Sequence, residues 1–223
     1  MTEPHVAIVG AGLTGLQIAR QLSKAEISNT LFDKSRGVSG RLATRRAEVE
    51  GHTLRFDHGT PSLTASQKAQ ISALRAPTQL ALVPWIPSSP KTHSEPHFRL
   101  APGINGVGKW LAQGQNIALN MPVTALRRSD GGNAWQIVCD STLSPQTFDM
   151  VITTTPPLQA AHILQTTHSP LIGTLNTLRS EGCWSLMLVT EHPLDIPPLL
   201  IPRDSFIERV VSEHTKGRFS NQW

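Results

Sequence analysis

The chain has 223 residues, 39% of them hydrophobic, enough to bury one large or two small cores, so a globular protein is expected. Lys and Arg number 20 against 16 Asp and Glu; the excess is spread along the chain apart from a gathering between Lys34 and Arg46, and it gives no reason to expect a nucleic-acid surface. The opening Met-Thr-Glu-Pro-His has no basic leader, and no apolar run approaches the roughly 20 residues that span a bilayer, so the expected location is cytoplasmic, away from membranes.

Val6 to Val9 is a short apolar run of the kind that forms a strand buried on both faces, and Leu13 to Lys24 carries apolar residues at helical spacing. Asn29 to Phe32 reads as a second strand, completing a βαβ unit of about 30 residues whose right-handed crossover makes the strands parallel. Val49 to Phe56 contains the turn pair Glu50-Gly51, and Ala65 to Ala76 is expected to be helical. The Pro-rich stretch from Pro77 to Pro96 reads as a domain crossing.

Further on, the pattern predicts a helix over Gly108 to Ala112 and strands over Ile117 to Leu119 and Val123 to Arg127. Asp130-Gly131-Gly132-Asn133 is a hairpin signal before a strand at Trp135 to Cys139, and Phe148 to Thr153 forms another β-branched run. Leu158 to Leu164 is expected as a helix, with strands at Trp184 to Val189 and Phe206 to Val211. Cys139 and Cys183 have no CxxC pattern and are expected as buried, reduced thiols, with no metal site. The five tryptophans are expected in the core, and His93, His97, His162, His168 and His192 lack the spacing of metal ligands.

Gly10-Ala11-Gly12-Leu13-Thr14-Gly15 matches G-x-G-x-x-G, a weak signal alone that gains weight from its place between a strand and a helix. Gly10 can take the tight turn, Gly12 leaves room for a pyrophosphate, and Gly15 allows close packing of helix on sheet. The helix N-terminus supplies free amides and a favourable dipole for phosphates. Asp33 closes the second strand, where its carboxylate can accept from adenosine ribose hydroxyls. NAD and FAD share this half. The basic, glycine-containing run Lys34 to Arg46, with Lys34, Arg36, Gly40 and Arg41, offers guanidinium groups and close backbone approach to phosphate, where an ordinary NAD domain continues into a helix.

The run from Asp33 to Arg46, followed by Phe56-Asp57-His58-Gly59, resembles renalase-like flavoproteins of the flavin amine oxidase group, which carry D-K-S-R-G-x-G-G-R-x-x-T-R-R and then D-H-G-A-Q-Y-F. Pro102-Gly103-Ile104-Asn105, Met121 to Leu126 and Val151 to Pro157 extend the resemblance over most of the chain. It implies an α/β fold: a Rossmann-type FAD/NAD(P)-binding domain over 1–76 and 97–157, with a mixed α+β substrate domain over 77–96 and 158–223. The implied cofactor is FAD, held by Gly10, Ala11, Gly12, Thr14, Gly15, Asp33, Lys34, Arg36, Gly40, Arg41, Asp57, His58, Gly59 and, through its backbone, Val123. The implied activity is oxidation of dihydronicotinamide dinucleotide isomers, or of an amine-like substrate, with hydride passing to the flavin and electrons on to oxygen. His58 is the candidate for proton movement, with a loop histidine that satisfies backbone groups as the plainer reading.

Ser39 departs from the family by replacing the first glycine of its pair, and Thr60-Pro61-Ser62-Leu63 replaces Ala-Gln-Tyr-Phe. The family's C-terminal Gly-Asp strand and helix have no counterpart before Trp223, so a C-terminally truncated, incomplete chain is expected. Two other readings stay open: a nicotinamide-dependent dehydrogenase, and a non-catalytic nucleotide-binding remnant.

Overall fold

The structure, a computed structural model, describes residues 3–74, 80, 82–86, 95–101, 103–192, 194–203 and 205–218. In chain order its elements are β1 (His5–Val9), α1 (Leu13–Lys24), β2 (Ser28–Phe32), β3 (Arg45–Val49), β4 (His52–Phe56), β5 (Leu63–Thr64), α2 (Ala65–Ala73), β6 (Leu82–Ile86), β7 (His97–Leu100), α3 (Gly106–Leu111), β8 (Ile117–Ala118), β9 (Val123–Arg128), β10 (Trp135–Cys139), β11 (Thr142–Phe148), β12 (Met150–Thr153), α4 (Pro157–Leu164), α5 (Leu171–Thr177), β13 (Leu199–Leu200) and β14 (Val210–Val211). Two compact units result, one of Met1–Gly40 with Gly108–Cys183 and the other of Arg41–Val107 with Trp184–Trp223. These packing units cut the chain at different points from the functional division expected from sequence.

The first unit is a Rossmann-like α/β domain. Its parallel sheet runs β12-β1-β2-β8, with β1 paired to β2 from His5↔Ser28 to Val9↔Phe32 and to β12 from Val6↔Met150 to Val9↔Thr153. Side chains alternate across a strand. Ala7 and Val9 therefore enter one buried cluster with Phe32, Leu126, Ile137 and Phe148, while Val6 and Ile8 point to the opposite face. On that opposite face α1 presents its buried Leu16 and Ala19 to the sheet. A strand buried on both faces needs apolar residues at every position, which is why β1 shows no polar alternation. The return from β8 to β12 is made by an antiparallel meander, β11-β10-β9, where sequence reasoning identified β9 and β10 but not the polar β11. Phe32 and Phe148 meet edge-on at 5.7 Å between ring centroids, joining sheet to meander.

In the second unit β3 and β4 pair antiparallel through Glu50 and Gly51, at φ of +49° and +79°, as a two-residue hairpin turn requires. A small sheet, β5-β7-β6, packs with α2, whose Thr64 and Gln67 form a reciprocal capping box. Leu63, Ile71, Phe98, Leu100 and Ile104 are buried here.

Several expectations are corrected. Trp184 to Val189 forms no strand, and the expected strand at 206–211 contracts to β14. Trp184, expected in the core, is fully exposed, and Cys183, expected buried, is exposed while Cys139 is buried. The reason is that β propensity is realised only with a pairing partner, and none of the described strands pairs with 184–189. Of the Pro-rich stretch 77–96, residues 82–86 form β6; Pro77, Pro87 and Pro90 lie outside the described residues, as do Ala76, His93, Pro102 and Trp223. Among the described residues no helix is long and apolar enough to cross a membrane.

Gly15 is the packing contact that the first unit cannot relax, because a Cβ there would lie 1.9 Å from the carbonyl oxygen of Gly10. Gly15→Ala is expected to cost about 3 kcal/mol or more by forced overpacking, seen as a lowered thermal midpoint. An unchanged midpoint would show that the turn is not packed as described.

Candidate functional site

The turn between β1 and α1 is held from three sides within the first unit. Gly10, at φ of +107°, adopts a conformation that L side chains rarely enter, and its amide donates to Phe32 O at 2.8 Å. Thr154, just past the end of β12, reaches the carbonyl oxygens of Val9 and Gly10 with its hydroxyl, at 3.1 and 3.0 Å. Asp33 accepts from the amide of Ala11 at 2.7 Å with one carboxylate oxygen and from the amide of Ser35 at 2.8 Å with the other. Each oxygen thereby keeps a further lone-pair direction. The backbone of Asp33 is itself pinned, donating to Ala118 O at 3.0 Å and accepting from Met121 N at 2.8 Å.

Residues 39–40 lie directly against this turn. Ser39 donates its amide to Ala11 O at 2.9 Å, and a Cβ on Gly40 would stand 3.0 Å from the Cα of Gly12. Ser39 carries a structural cost: it is buried at φ of +97°, a region that favours glycine. The glycine it lacks is supplied opposite, since a Cβ on Gly108 would meet Ser39 Oγ at 2.1 Å.

Gly12 differs from its neighbours. Its backbone, at φ of −75° and ψ of −178°, is open to any residue, and a Cβ would find nothing nearer than Gly40 Cα at 3.9 Å. It caps α1 without a side chain, and no acidic residue occupies the first turn. The first helical bond is Leu16 N to Gly12 O at 3.0 Å, which leaves the amides of Leu13, Thr14 and Gly15 without intrahelical acceptors. Thr14, Lys34, Arg36 and Gly40 are exposed, and Lys34 and Arg36 have no ion-pair partner among the described residues. Val123 opens β9, opposite Cys139.

The second unit holds the other sequence-derived candidates. Arg41 is exposed, and its carbonyl oxygen accepts from Thr60 N at 3.0 Å and would lie 2.1 Å from a Cβ on Gly59. Asp57 is buried, and its carboxylate is taken up by the protein itself. One oxygen accepts from Thr44 Oγ1 at 2.7 Å and Ile104 N at 3.1 Å; the other accepts from Lys216 Nζ at 3.2 Å and from Arg218 Nη2. Lys216 also donates to Glu213 Oε1 at 2.7 Å and Pro61 O at 2.7 Å. Four acceptor directions are thus filled by four donors. Sequence reasoning missed Thr44, Glu213, Lys216 and Arg218, because positions 159 and 161 residues from Asp57 leave no local signal.

Burial raises the carboxyl of Asp57, but the hydrogen bond from Arg218, the charges of Lys216 and Arg218, and the Thr44 hydroxyl outweigh it and hold the group below its ordinary 3.8. Glu213 goes the other way. Burial, with Asp57 adding repulsion, pushes it above its ordinary 4.5 despite the pull of Lys216 and Arg218.

Residues 8–74 match a family model described as an NAD(P)-binding Rossmann-like domain. Among solved structures, a triple mutant of putrescine oxidase, from a structure-based redesign of its cofactor binding, is 16% identical with a TM-score of 0.54, over 72% of this chain and 60% of that one. A protein assigned as a protoporphyrinogen oxidase from Exiguobacterium sp. is 14% identical with a TM-score of 0.53, over 78% of this chain and 64% of that one. A double mutant of putrescine oxidase gives 16% and 0.52, over 72% and 60%. The chain spans 60–64% of the length of these structures, and at such identities the likeness is one of fold.

The two carboxylates predict opposite pH dependences. Asp57, lowered in the folded state, contributes stability that is present above pH 3.8 and lost as pH falls through its folded value; Glu213, raised, contributes stability below pH 4.5 that is lost as pH rises through its folded value. In denaturant titrations D57N is therefore expected to lose about 3–5 kcal/mol at neutral pH, the deficit shrinking in acid. E213Q is expected to gain on the wild type as pH rises from 4.5 toward 7, and a constant or falling difference would contradict the assignment.

Proposed function

We propose that this chain is part of a FAD-dependent oxidoreductase and that its first unit grips the ADP half of the cofactor. The observation that carries the reading is Gly12. Gly10 and Gly15 are required by the protein's own packing, whereas the side-chain space at Gly12 is unclaimed by the protein and opens onto the uncapped first turn of α1. A glycine without an internal reason, placed beside helix amides that have no acceptor within α1, suits the close approach of a pyrophosphate. The residues present fit such a group: Gly10 to Gly15 would hold the pyrophosphate, and Asp33 would accept from the ribose with its remaining lone pairs.

When bound, the flavin would supply the redox chemistry, accepting a hydride from a reduced substrate and passing both electrons to oxygen as peroxide. The protein's part is then binding, orientation and control of water and protons. Resemblance to renalase-like enzymes supports a dihydronicotinamide dinucleotide isomer as the substrate, with an amine as the broader class. It also supports Lys34, Arg36 and Arg41 as phosphate or ribityl contacts, the backbone of Val123 as an adenine contact, and His58 as the proton-handling group. In this reading residues 1–76 and 97–157 serve the cofactor, and 77–96 and 158–223 the substrate.

A nicotinamide-dependent reading shares the same ADP grip and is favoured by the NAD(P)-binding description of the family model that matches residues 8–74. Reconstitution separates the two. Added FAD should give yellow protein with absorbance near about 450 nm and quenched flavin fluorescence. Gly12→Ala should leave stability within about 1 kcal/mol of the wild type while weakening FAD binding at least about tenfold, a loss of about 1.4 kcal/mol. Uptake of NADH without FAD would favour the nicotinamide reading, and uptake of neither would leave a nucleotide-binding remnant.

A further inference from the structure

The turn 57–61 of the second unit is fixed at every residue. Asp57 is held through its carboxylate and through its amide, which donates to Glu213 Oε1 at 3.3 Å. His58 O accepts from Ser185 Oγ at 2.8 Å, Gly59 is packed on the Arg41 carbonyl, Thr60 N donates to that carbonyl, and Pro61 O accepts from Lys216. What remains is the imidazole of His58, half-buried and without a hydrogen bond to any described residue.

We infer that the buried cluster of Asp57, Glu213, Lys216 and Arg218 is a positioning device for the His58 imidazole; its purpose rests on the proposed oxidoreductase reading, in which His58 handles the proton. All three protons of Lys216 are committed, to Asp57, Glu213 and Pro61, so this lysine holds rather than reacts. Gly217 makes the device possible. At φ of +61° it reverses the chain after the short 3-10 turn Glu213–Lys216, so that Lys216 and Arg218, two residues apart, reach the same carboxylate oxygen. An apolar plug would fill this space with less desolvation, since a buried ion pair is a weak source of stability. What charged hydrogen bonds add is direction, and here every one terminates on the turn that carries His58 or on the groups that hold it.

The test uses Lys216→Met, close in volume and without donors, with Thr44→Val as a milder second variant should the first fail to fold. His97, whose Nδ1 is 2.8 Å from Ser62 Oγ in the same unit, is the internal control. In folded K216M the backbone order parameters of residues 58–60 are expected to fall from about 0.85 to below about 0.6 while those around His97 stay unchanged. Unchanged order at 58–60, or an equal loss around His97, would overturn the inference. This arm needs no flavin, so failure of the wild type to bind FAD would remove the proposed reaction and leave the positioning result standing. In the FAD-loaded protein, with dihydronicotinamide dinucleotide isomers as the probe, K216M and H58Q should lower kcat by the same factor and the double variant no further. Multiplicative losses would show that the cluster acts elsewhere.

Discussion

The strand–turn–helix at the start of the chain depends on one contact: the backbone of α1 at Gly15 lies against the carbonyl of Gly10, where no side chain fits. That contact sets the angle at which α1 crosses the sheet and buries Leu16 and Ala19. Thr154 and Asp33 then fix the turn from the ends of β12 and β2, so three parallel strands contribute to one loop. Position 12 is left as the place where the fold itself makes no demand on the side chain.

The second unit solves a different problem. Its small sheets bury few large side chains, and its interior carries a set of four ionisable groups instead. Two carboxyl groups face two basic ones, yet the burdens are unequal: the donors around Asp57 favour its charged form, while Glu213 bears more burial than its partners offset. The set joins residues 44, 57, 61 and 104 to residues 213–218, segments that share no strand pairing. Hydrogen bonds of this kind specify a geometry more than they add stability.

Fold legibility followed the range of the interactions. α1 is legible with its observed bounds because its apolar spacing and flanking glycine are local, and the Glu50-Gly51 hairpin because the turn needs positive φ at both residues. β12 and the β9–β10 hairpin were likewise visible. β11 was not, since its Thr-Leu-Ser-Pro-Gln-Thr-Phe run owes its strand state to pairing with β10. Residues 184–189 failed in the opposite sense: their composition favours a strand, but no described strand lies beside them, and Trp184 and Leu186 face solvent.

Of the candidate site, sequence alone determined the glycine turn, the acid at the end of β2 and the glycine-containing run after it, because each lies within a few residues of the element that positions it. It also singled out Ser39 as a departure. Only the tertiary structure decided how Ser39 is accommodated, against the bare Cα of Gly108, and only it separated Gly12 from the glycines that the fold requires. It likewise decided that Asp57 is bound by Thr44, Ile104, Lys216 and Arg218. The physical reason is distance along the chain: a carboxylate's environment is set by whichever groups the fold brings within about 3 Å of it, and those groups leave no pattern near it in the sequence.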